Sequence, residues 1–297
     1  MTGEELMDFP VSAVRQAVTR ALAEDHAHDD ITTRWCVSAH LHNEAEIIAK
    51  QPGTACGLPV VSEVFRQIDT EVVVEELVPE GGFAHQGQAV VRLRGRTRSL
   101  LTGERTVLNF LQRMCGIATL AKTYVGMVAD LGVQVLDTRK TAPGLRAIDK
   151  YAAASGGVSS HRLDLSAMAL LKENHIAAAG GITAAINAVR AGMAAEGRET
   201  LIDVEVENVT QAVEALHAGA SWIMLDDMTV TEIGQVVKFR DGIAPGQRVV
   251  LEASGGITLK QLRRVAEAGV DKISVGTLTH SAPALDLSML LTKATGT

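Results

Sequence analysis

Between Asp137 and His175 the chain gathers Arg139, Lys140, Arg146, Lys150, Arg162 and Lys172, with His161 and His175, against only Asp137, Asp149, Asp164 and Glu173. The whole chain carries a net charge of −7, so this concentration of cations runs against its overall balance. Local focusing of that kind suits a small, highly anionic ligand. A nucleic-acid protein would more often spread a basic face over a basic domain, which this chain lacks. Planar arginine forks grip carboxylates bidentately, and lysine supplies point charge.

Acids follow at the ends of apolar runs: Glu205 in LIDVEVE (201–207) and Asp226 in WIMLDD (222–227). Two hard carboxylates there suit Mg²⁺ carried with a phosphorylated substrate. They also suit opposing a positive charge that develops at a sugar carbon. Each could equally pair with Lys172 or Arg139 in a structural network. Asp203 and Glu207 share the alternation parity of Glu205, so the pattern keeps them as alternatives. Ser254-Gly255-Gly256 and Ser274-Val275-Gly276 close the last two apolar runs. Small residues let backbone N–H groups approach a phosphate, and a helix starting near 258 adds its positive end. One such loop would be an ordinary strand-to-helix turn; two on consecutive strands favour a phosphate grip. HAHDD (26–30) and HLH (40–42) read as solvated loop histidines rather than metal ligands. Cys115, Trp35 and Trp222 read as packing residues.

The elements that must hold these groups change rhythm along the chain. Val11, Val14, Val18, Ala21 and Leu22 fall at helical spacing in residues 11–24. Strand-like runs follow at 44–50, 71–77 and 89–95, separated by QPG, VPEGG and GRT, which predicts a small α/β sandwich with an antiparallel sheet. A long helical pattern spans about 102–130. Beyond it, strands at 133–137, 168–172, 201–207, 222–227, 248–254 and 272–276 alternate with helices at 183–196, 209–218, 230–240 and 258–268. Alternation of this kind predicts parallel βαβ units. Six repeats are fewer than the eight of a full barrel, so an atypical, reduced-strand α/β barrel is expected. Asp137 through Lys140, Lys172, Glu205, Asp226 and Glu252–Ser254 then fall at the carboxyl ends of strands, the rim where barrel active sites form. The expected blocks are a sandwich over 1–117, a barrel over 118–280, and a C-terminal helix over 281–297 packing back on the first block.

Composition narrows the class. A chain of 297 residues allows two domains or one barrel with an appendage. Aromatics make up 3%, too few for stacking platforms that bind single-stranded nucleic acid. No apolar run approaches the length of a membrane span. The start, MTGEELMDFP, has no apolar core of a secretory signal, so none is expected. Three widely spaced cysteines without a CxxC argue against a disulfide framework or zinc site and for a reducing cytoplasm.

GERTVLNFLQRMCGIAT (103–119), DTRKTAPGLR (137–146), HRLDLS (161–166), LLKENHI (170–176), VEVEN (204–208), IMLDDM (223–228), EASGGI (252–257) and ISVGTLTH (273–280) occur in that order. With them the chain resembles the quinolinate phosphoribosyltransferases, or carboxylating nicotinate-nucleotide pyrophosphorylases, from about Asp30 to Met289. The resemblance implies a sandwich and an atypical barrel, and dimers or larger assemblies of dimers. It implies conversion of quinolinate and phosphoribosyl pyrophosphate, with Mg²⁺, into nicotinate mononucleotide, CO₂ and pyrophosphate. It makes Arg139, His161, Arg162 and Lys172 the cradle for two carboxylates, with Thr138 beside them, and Lys140 a phosphate or pyrophosphate contact. Glu205 and Asp226 become the acids facing ribose and metal, and Lys140, Glu205 and Asp226 the expected catalytic set. The Ser254–Gly256 and Ser274–Gly276 loops become the 5′-phosphate grip, and Arg105 reaches into a partner subunit's site.

The chain departs from the family pattern at Asp29, Ser160, Asp164 and Asp227. Other readings are a paralogue that lacks decarboxylation or serves molybdenum transport, a Schiff-base lyase using Lys172, and a non-catalytic metabolite sensor. WIMLDDMTVTE (222–232) has a faint likeness to the type I phosphoribosyltransferase motif but lacks the glycine loop that should follow, which rejects that fold.

Overall fold

The computed structural model describes residues 7–243 and 249–292. Residues 1–6, Arg248 of the predicted strand at 248–254, and the stretch 293–297 lie outside them. The chain forms two compact units: Met1–Thr123 with Thr141–Gly157 and Thr277–Thr297, and Tyr124–Lys140 with Val158–Gly276. Both units are discontinuous, whereas the sequence suggested consecutive blocks.

In the first unit, β1 (His42–Ala49) buries Ala45, Ile47 and Ala49 in alternation, as one half-buried face requires. A two-residue ladder joins β2 (Gly53–Thr54) to β4 (Phe83–Ala84). The main sheet adds β3 (Val73–Glu76) and β5 (Ala89–Arg96), all antiparallel. Helix Val11–Glu24 buries Val14, Ala17, Val18 and Leu22, the stripe the spacing predicted. The long helix Thr97–Val128 starts five residues earlier than the pattern indicated and buries Leu111, Met114, Cys115 and Ala118. A short helix, Arg146–Ser155, was not foreseen. It buries Asp149 completely, and Arg113 answers with Nε donating to Oδ1 at 2.8 Å and Nη2 to Oδ2 at 2.7 Å.

The second unit holds six parallel strands: β6 (Gln134–Leu136), β7 (Ala169–Leu171), β8 (Ile202–Val206), β9 (Trp222–Asp226), β10 (Val250–Ser254) and β11 (Lys272–Ser274). Their order is β6-β11-β10-β9-β8-β7, with β6 and β7 at the ends. Ser159 runs along β6: its N–H donates to the Val135 carbonyl at 2.9 Å and its carbonyl accepts from Asp137 at 3.2 Å. Helices Ile182–Glu196, Val209–His217, Val230–Gly242 and Leu259–Glu267 connect the strands and shield the sheet. Burial on both faces explains why β8 to β10 read as apolar runs. This is the expected reduced-strand α/β architecture.

The C-terminal helix expected over 281–297 is corrected. Within it, Leu287–Thr292 is a strand, β12, pairing antiparallel with β1. Leu285, Leu287 and Met289 are buried at two-residue spacing, a pattern that a short apolar run shares with an amphipathic helix. The free edge of β1 decides between them. Gly116 permits the return, because a Cβ there would lie 2.1 Å from the Pro283 carbonyl oxygen. No single described helix is long and apolar enough to cross a membrane.

Candidate functional site

Strand alternation builds one cavity of about 340 Å³ in the second unit. Leu170 and Lys172 at the end of β7, Met224 and Asp226 on β9, and Glu252 and Ser254 on β10 enter it two residues apart, as a pleated strand dictates. Glu205 from β8, Ser274 from β11, Thr138, Arg139 and Lys140 beyond β6, and His161 and Arg162 complete the wall. Ten residues singled out in the sequence thus share one space: Thr138, Arg139, Lys140, His161, Arg162, Lys172, Glu205, Asp226, Ser254 and Ser274.

Gly255, Gly256, Val275 and Gly276 lie in the loops beside the two serines but do not line the cavity. Arg105 is exposed on the long helix of the first unit. Met224 and Leu170 line the cavity although neither was singled out, and Glu252, which the strand pattern put at the rim, was given no site role of its own. An acid inside the buried run of β10 was the available signal for Glu252.

The rim is electrostatically uneven. Lys172 Nζ donates to Glu205 Oε2, so part of the structural pairing left open by the sequence is present. Burial pushes the Asp226 carboxyl above its ordinary value and the Glu205 charge adds to this, while Lys172 and Lys140 pull it down. Arg139 Nε is buried with no hydrogen-bond partner among the described residues. Burial also lowers the Arg162 guanidinium, and the neighbouring Arg139 charge lowers it further. Two cations held this close to each other leave capacity for an anion.

Beneath the rim lies a buried polar floor. His161 Nε2 faces Glu252 Oε2 at 3.3 Å and Asp203 Oδ2 at 3.7 Å, and both acids are fully buried. Trp222 Nε1 donates to the same Glu252 Oε2 at 2.9 Å. Burial alone would depress the His161 imidazole, but Asp203 and Glu252 lift it to about 9. Burial raises Asp203 to about 6 against the opposing pull of His161. These three are the one group among the described residues with metal-ligand proximity; HAHDD and HLH form none.

The four departures have local accounts. Asp29 pairs with Arg34 at 2.8 Å, and Asp164 accepts from Ser166 within its own loop. Ser160 Oγ donates to the His161 carbonyl at 3.0 Å. Asp227 has φ 53°, a left-handed conformation that Asp and Asn tolerate best among residues with a Cβ. Gly255, at φ 87°, is needed beside it, since a Cβ would sit 2.5 Å from the Asp227 nitrogen. Backbone contact between the two loops sets the Asp226 turn against the SGG turn.

Residues 117–290 match the family model for the quinolinate phosphoribosyl transferase C-terminal domain, and residues 30–115 match that for the N-terminal domain. The chain is 38% identical to a carboxylating nicotinate-nucleotide pyrophosphorylase of Mycobacterium leprae, over 96% of this chain and 99% of that one. It is 37% identical to a probable enzyme of the same name from Bacillus subtilis, over 94% and 93% respectively. Its fold is similar to the solved nicotinate-nucleotide pyrophosphorylase of Francisella tularensis, with TM-score 0.90, 33% identity, and coverage of 98% and 100%.

Proposed function

The chain belongs to the quinolinate phosphoribosyltransferase family, and we propose that its cavity transfers phosphoribosyl from phosphoribosyl pyrophosphate to quinolinate. Decarboxylation accompanies the transfer, giving nicotinate mononucleotide, CO₂ and pyrophosphate in de novo NAD biosynthesis. One observation carries this reading: a single cavity sets Arg139, Arg162 and Lys172 opposite the needs of carboxylates, and Glu205 and Asp226 opposite those of a cationic sugar carbon.

The cations take the two quinolinate carboxylates, with Arg forks giving bidentate contacts. The loops carrying Ser254 and Ser274 take the 5′-phosphate, and Lys140 contacts phosphate or pyrophosphate. As pyrophosphate leaves, positive charge grows at ribose C1, where Glu205 and Asp226 stabilise it through space. The pyridine nitrogen then bonds to C1. As the adjacent carboxylate departs as CO₂, the electron pair of the breaking carbon–carbon bond stays on C2, stabilised by the neighbouring pyridinium nitrogen, and C2 then takes a proton from solvent. No protein nucleophile is needed. Lys172 is poorly suited to a Schiff base, since its ammonium is engaged by Glu205.

Glu205 and Asp226 fit Mg²⁺. The raised Asp226 carboxyl, due first to burial and then to Glu205, marks two acids close enough to repel, which a hard cation relieves. When bound, Mg²⁺ would neutralise charge on the departing pyrophosphate. The reading also includes a homodimer or a hexamer of dimers in which Arg105 serves the partner's site; its exposure on the long helix supports this. Three free cysteines support a reducing, cytoplasmic setting.

Incubation with quinolinate, phosphoribosyl pyrophosphate and Mg²⁺ should yield nicotinate mononucleotide and CO₂; absence of both would overturn the reading. Nicotinate leaves one set of cations unanswered, so its kcat/KM should be about 100-fold lower or less. Equal efficiency would remove the two-carboxylate assignment.

A further inference from the structure

We infer that Asp227 and Gly255 are positioning residues for Asp226: a left-handed turn at Asp227, seated on the bare face of Gly255, aims the Asp226 carboxylate into the cavity. The inference rests on reading the cavity as a phosphoribosyl-transfer site in which Asp226 faces the reacting sugar carbon.

The two cavity acids are held by different means. Lys172 Nζ donates to Glu205 Oε2, which fixes that side chain directly. The Asp226 carboxylate feels burial and the charges of Glu205, Lys172 and Lys140, but no hydrogen bond among the described residues fixes it. Its direction comes from the backbone that carries it. Strand β9 pairs with β10 in parallel register, with Asp226 opposite Ser254. One residue further, the Asp227 N–H donates to the Ser254 carbonyl at 3.1 Å. There the chain turns, with φ 53° at Asp227, while Gly255 stands at φ 87° on the facing loop.

Gly255 matters for the carboxylate as well as for the turn. A Cβ on it would lie 2.5 Å from the Asp227 nitrogen, 2.9 Å from the Asp227 Cα and 3.1 Å from Asp226 Oδ1. The carboxylate therefore rests against the face that glycine leaves bare, and any shift of the Asp227 backbone shifts that seat. Asp227 itself contributes through its main chain, because its side chain is exposed and does not line the cavity. Asp and Asn tolerate the left-handed region best among residues with a Cβ, glycine enters it freely, and a β-branched residue is an outlier there. The residue types that keep the turn need not keep the charge, which separates a main-chain role from a carboxylate role. A displacement of about 1 Å at a group facing the reacting atoms can cost about 100-fold in rate.

Substitutions at Asp227 in the full-length protein, assayed with quinolinate, phosphoribosyl pyrophosphate and Mg²⁺, test the inference. Asp227→Asn and Asp227→Gly should keep kcat within about twofold of wild type, whereas Asp227→Ala should lower it about fivefold and Asp227→Val about 30-fold. The KM for quinolinate should stay within about twofold throughout, since the cations assigned to it are untouched. A lower thermal midpoint in Asp227→Val with kcat unchanged would reduce the turn to a structural role and overturn the inference. So would a kcat for Asp227→Asn or Asp227→Gly as low as that of Asp227→Val, because the Asp227 carboxylate would then be the active feature. Should Asp227→Val fail to fold, Asp227→Ala and Asp227→Gly decide, and equal kcat values in the two count against the inference. Amide hydrogen exchange gives a readout apart from the reaction. The Asp227 amide should be protected in wild type, the amide of residue 227 equally so in Asp227→Asn, and that of Asp227→Ala should exchange about tenfold faster; equal rates in all three would refute the brace. If the wild type forms no nicotinate mononucleotide, the functional reading fails, while the exchange rates still test how the Asp226 turn is held.

Discussion

The antiparallel sheet of the first unit and the cavity rim of the second use the same residue types to opposite ends. On the sheet, Arg92 meets Glu46 at 3.0 Å and Glu75 at 3.3 Å, Arg94 meets Glu44 at 2.6 Å, and Arg96 meets Asp69 at 3.4 Å. Glu46 and Glu44 are the direct cross-strand partners of Arg92 and Arg94, so strand register itself neutralises the arginines. On the rim, Arg139 keeps a buried nitrogen without a hydrogen-bond partner among the described residues, and its charge adds to burial in lowering the Arg162 guanidinium beside it. Cations answered within the fold are structural. The crowded cations of the rim are, in the proposed reading, reserved for a ligand, and the fold bears their repulsion.

The largest effect should come from Arg139→Ala. Removing one partner of a charged contact forfeits roughly 2–5 kcal/mol of binding, or about 30- to 5,000-fold in kcat/KM for quinolinate. The thermal midpoint should stay level or rise, because a like-charge neighbour of Arg162 is gone. A variant that melts early yet keeps its activity would break the comparison. In the first unit the reverse is expected for Asp149→Ala. It strands Arg113 and the Ala142 amide, which donates to Asp149 Oδ2 at 2.9 Å. Denaturant unfolding should show a loss of about 3 kcal/mol; a stability within 0.5 kcal/mol of wild type, on the order of surface substitutions, would contradict it.

A smaller effect tests whether the two kinds of charge cooperate across subunits. Arg105→Ala and Lys172→Ala should each be nearly inactive. After reversible dissociation and mixing in equal amounts, random pairing gives heterodimers with one site intact, and activity should recover toward about a quarter of wild type. A mixture as inactive as its parents, where wild-type dimers demonstrably exchange, would place Arg105 within its own chain's site.

Much of this was legible because parallel strands buried on both faces leave a simple trace: apolar runs that end in polar residues. That trace located Lys172, Glu205, Asp226, Ser254 and Ser274, and the structure collects them. Depth was not legible. Asp203 and Glu205 share parity, and only the register of β8 on β9, with Asp203 opposite Trp222 and Glu205 opposite Met224, puts one in the floor and the other on the rim. Nor could spacing reveal that Arg146–Ser155 leaves the barrel to join the first unit. Its buried charges look solvated in sequence, and Arg113, the partner that makes Asp149 tolerable there, stands far earlier in the chain. β12 was misread because its apolar residues suit either period, and the deciding factor was an open edge some 240 residues away in sequence, at β1.

The smallest effect should belong to Arg94→Ala, and it is the sharpest test of what an answered charge contributes. Arg94 and Glu44 approach to 2.6 Å, closer than most ion pairs among the described residues, yet their side chains are 48% and 28% exposed. Water and salt screen a pair so placed, and ordering two long side chains offsets part of the attraction. Proximity alone therefore does not make the pair strong. A double-mutant cycle with Glu44→Ala should give a coupling below about 1 kcal/mol that shrinks further at high salt. Quinolinate kinetics should not change. A coupling of several kcal/mol would mean that the sheet's arginines are energetically as consequential as those of the rim, and the distinction between answered and reserved charge would then rest on function alone.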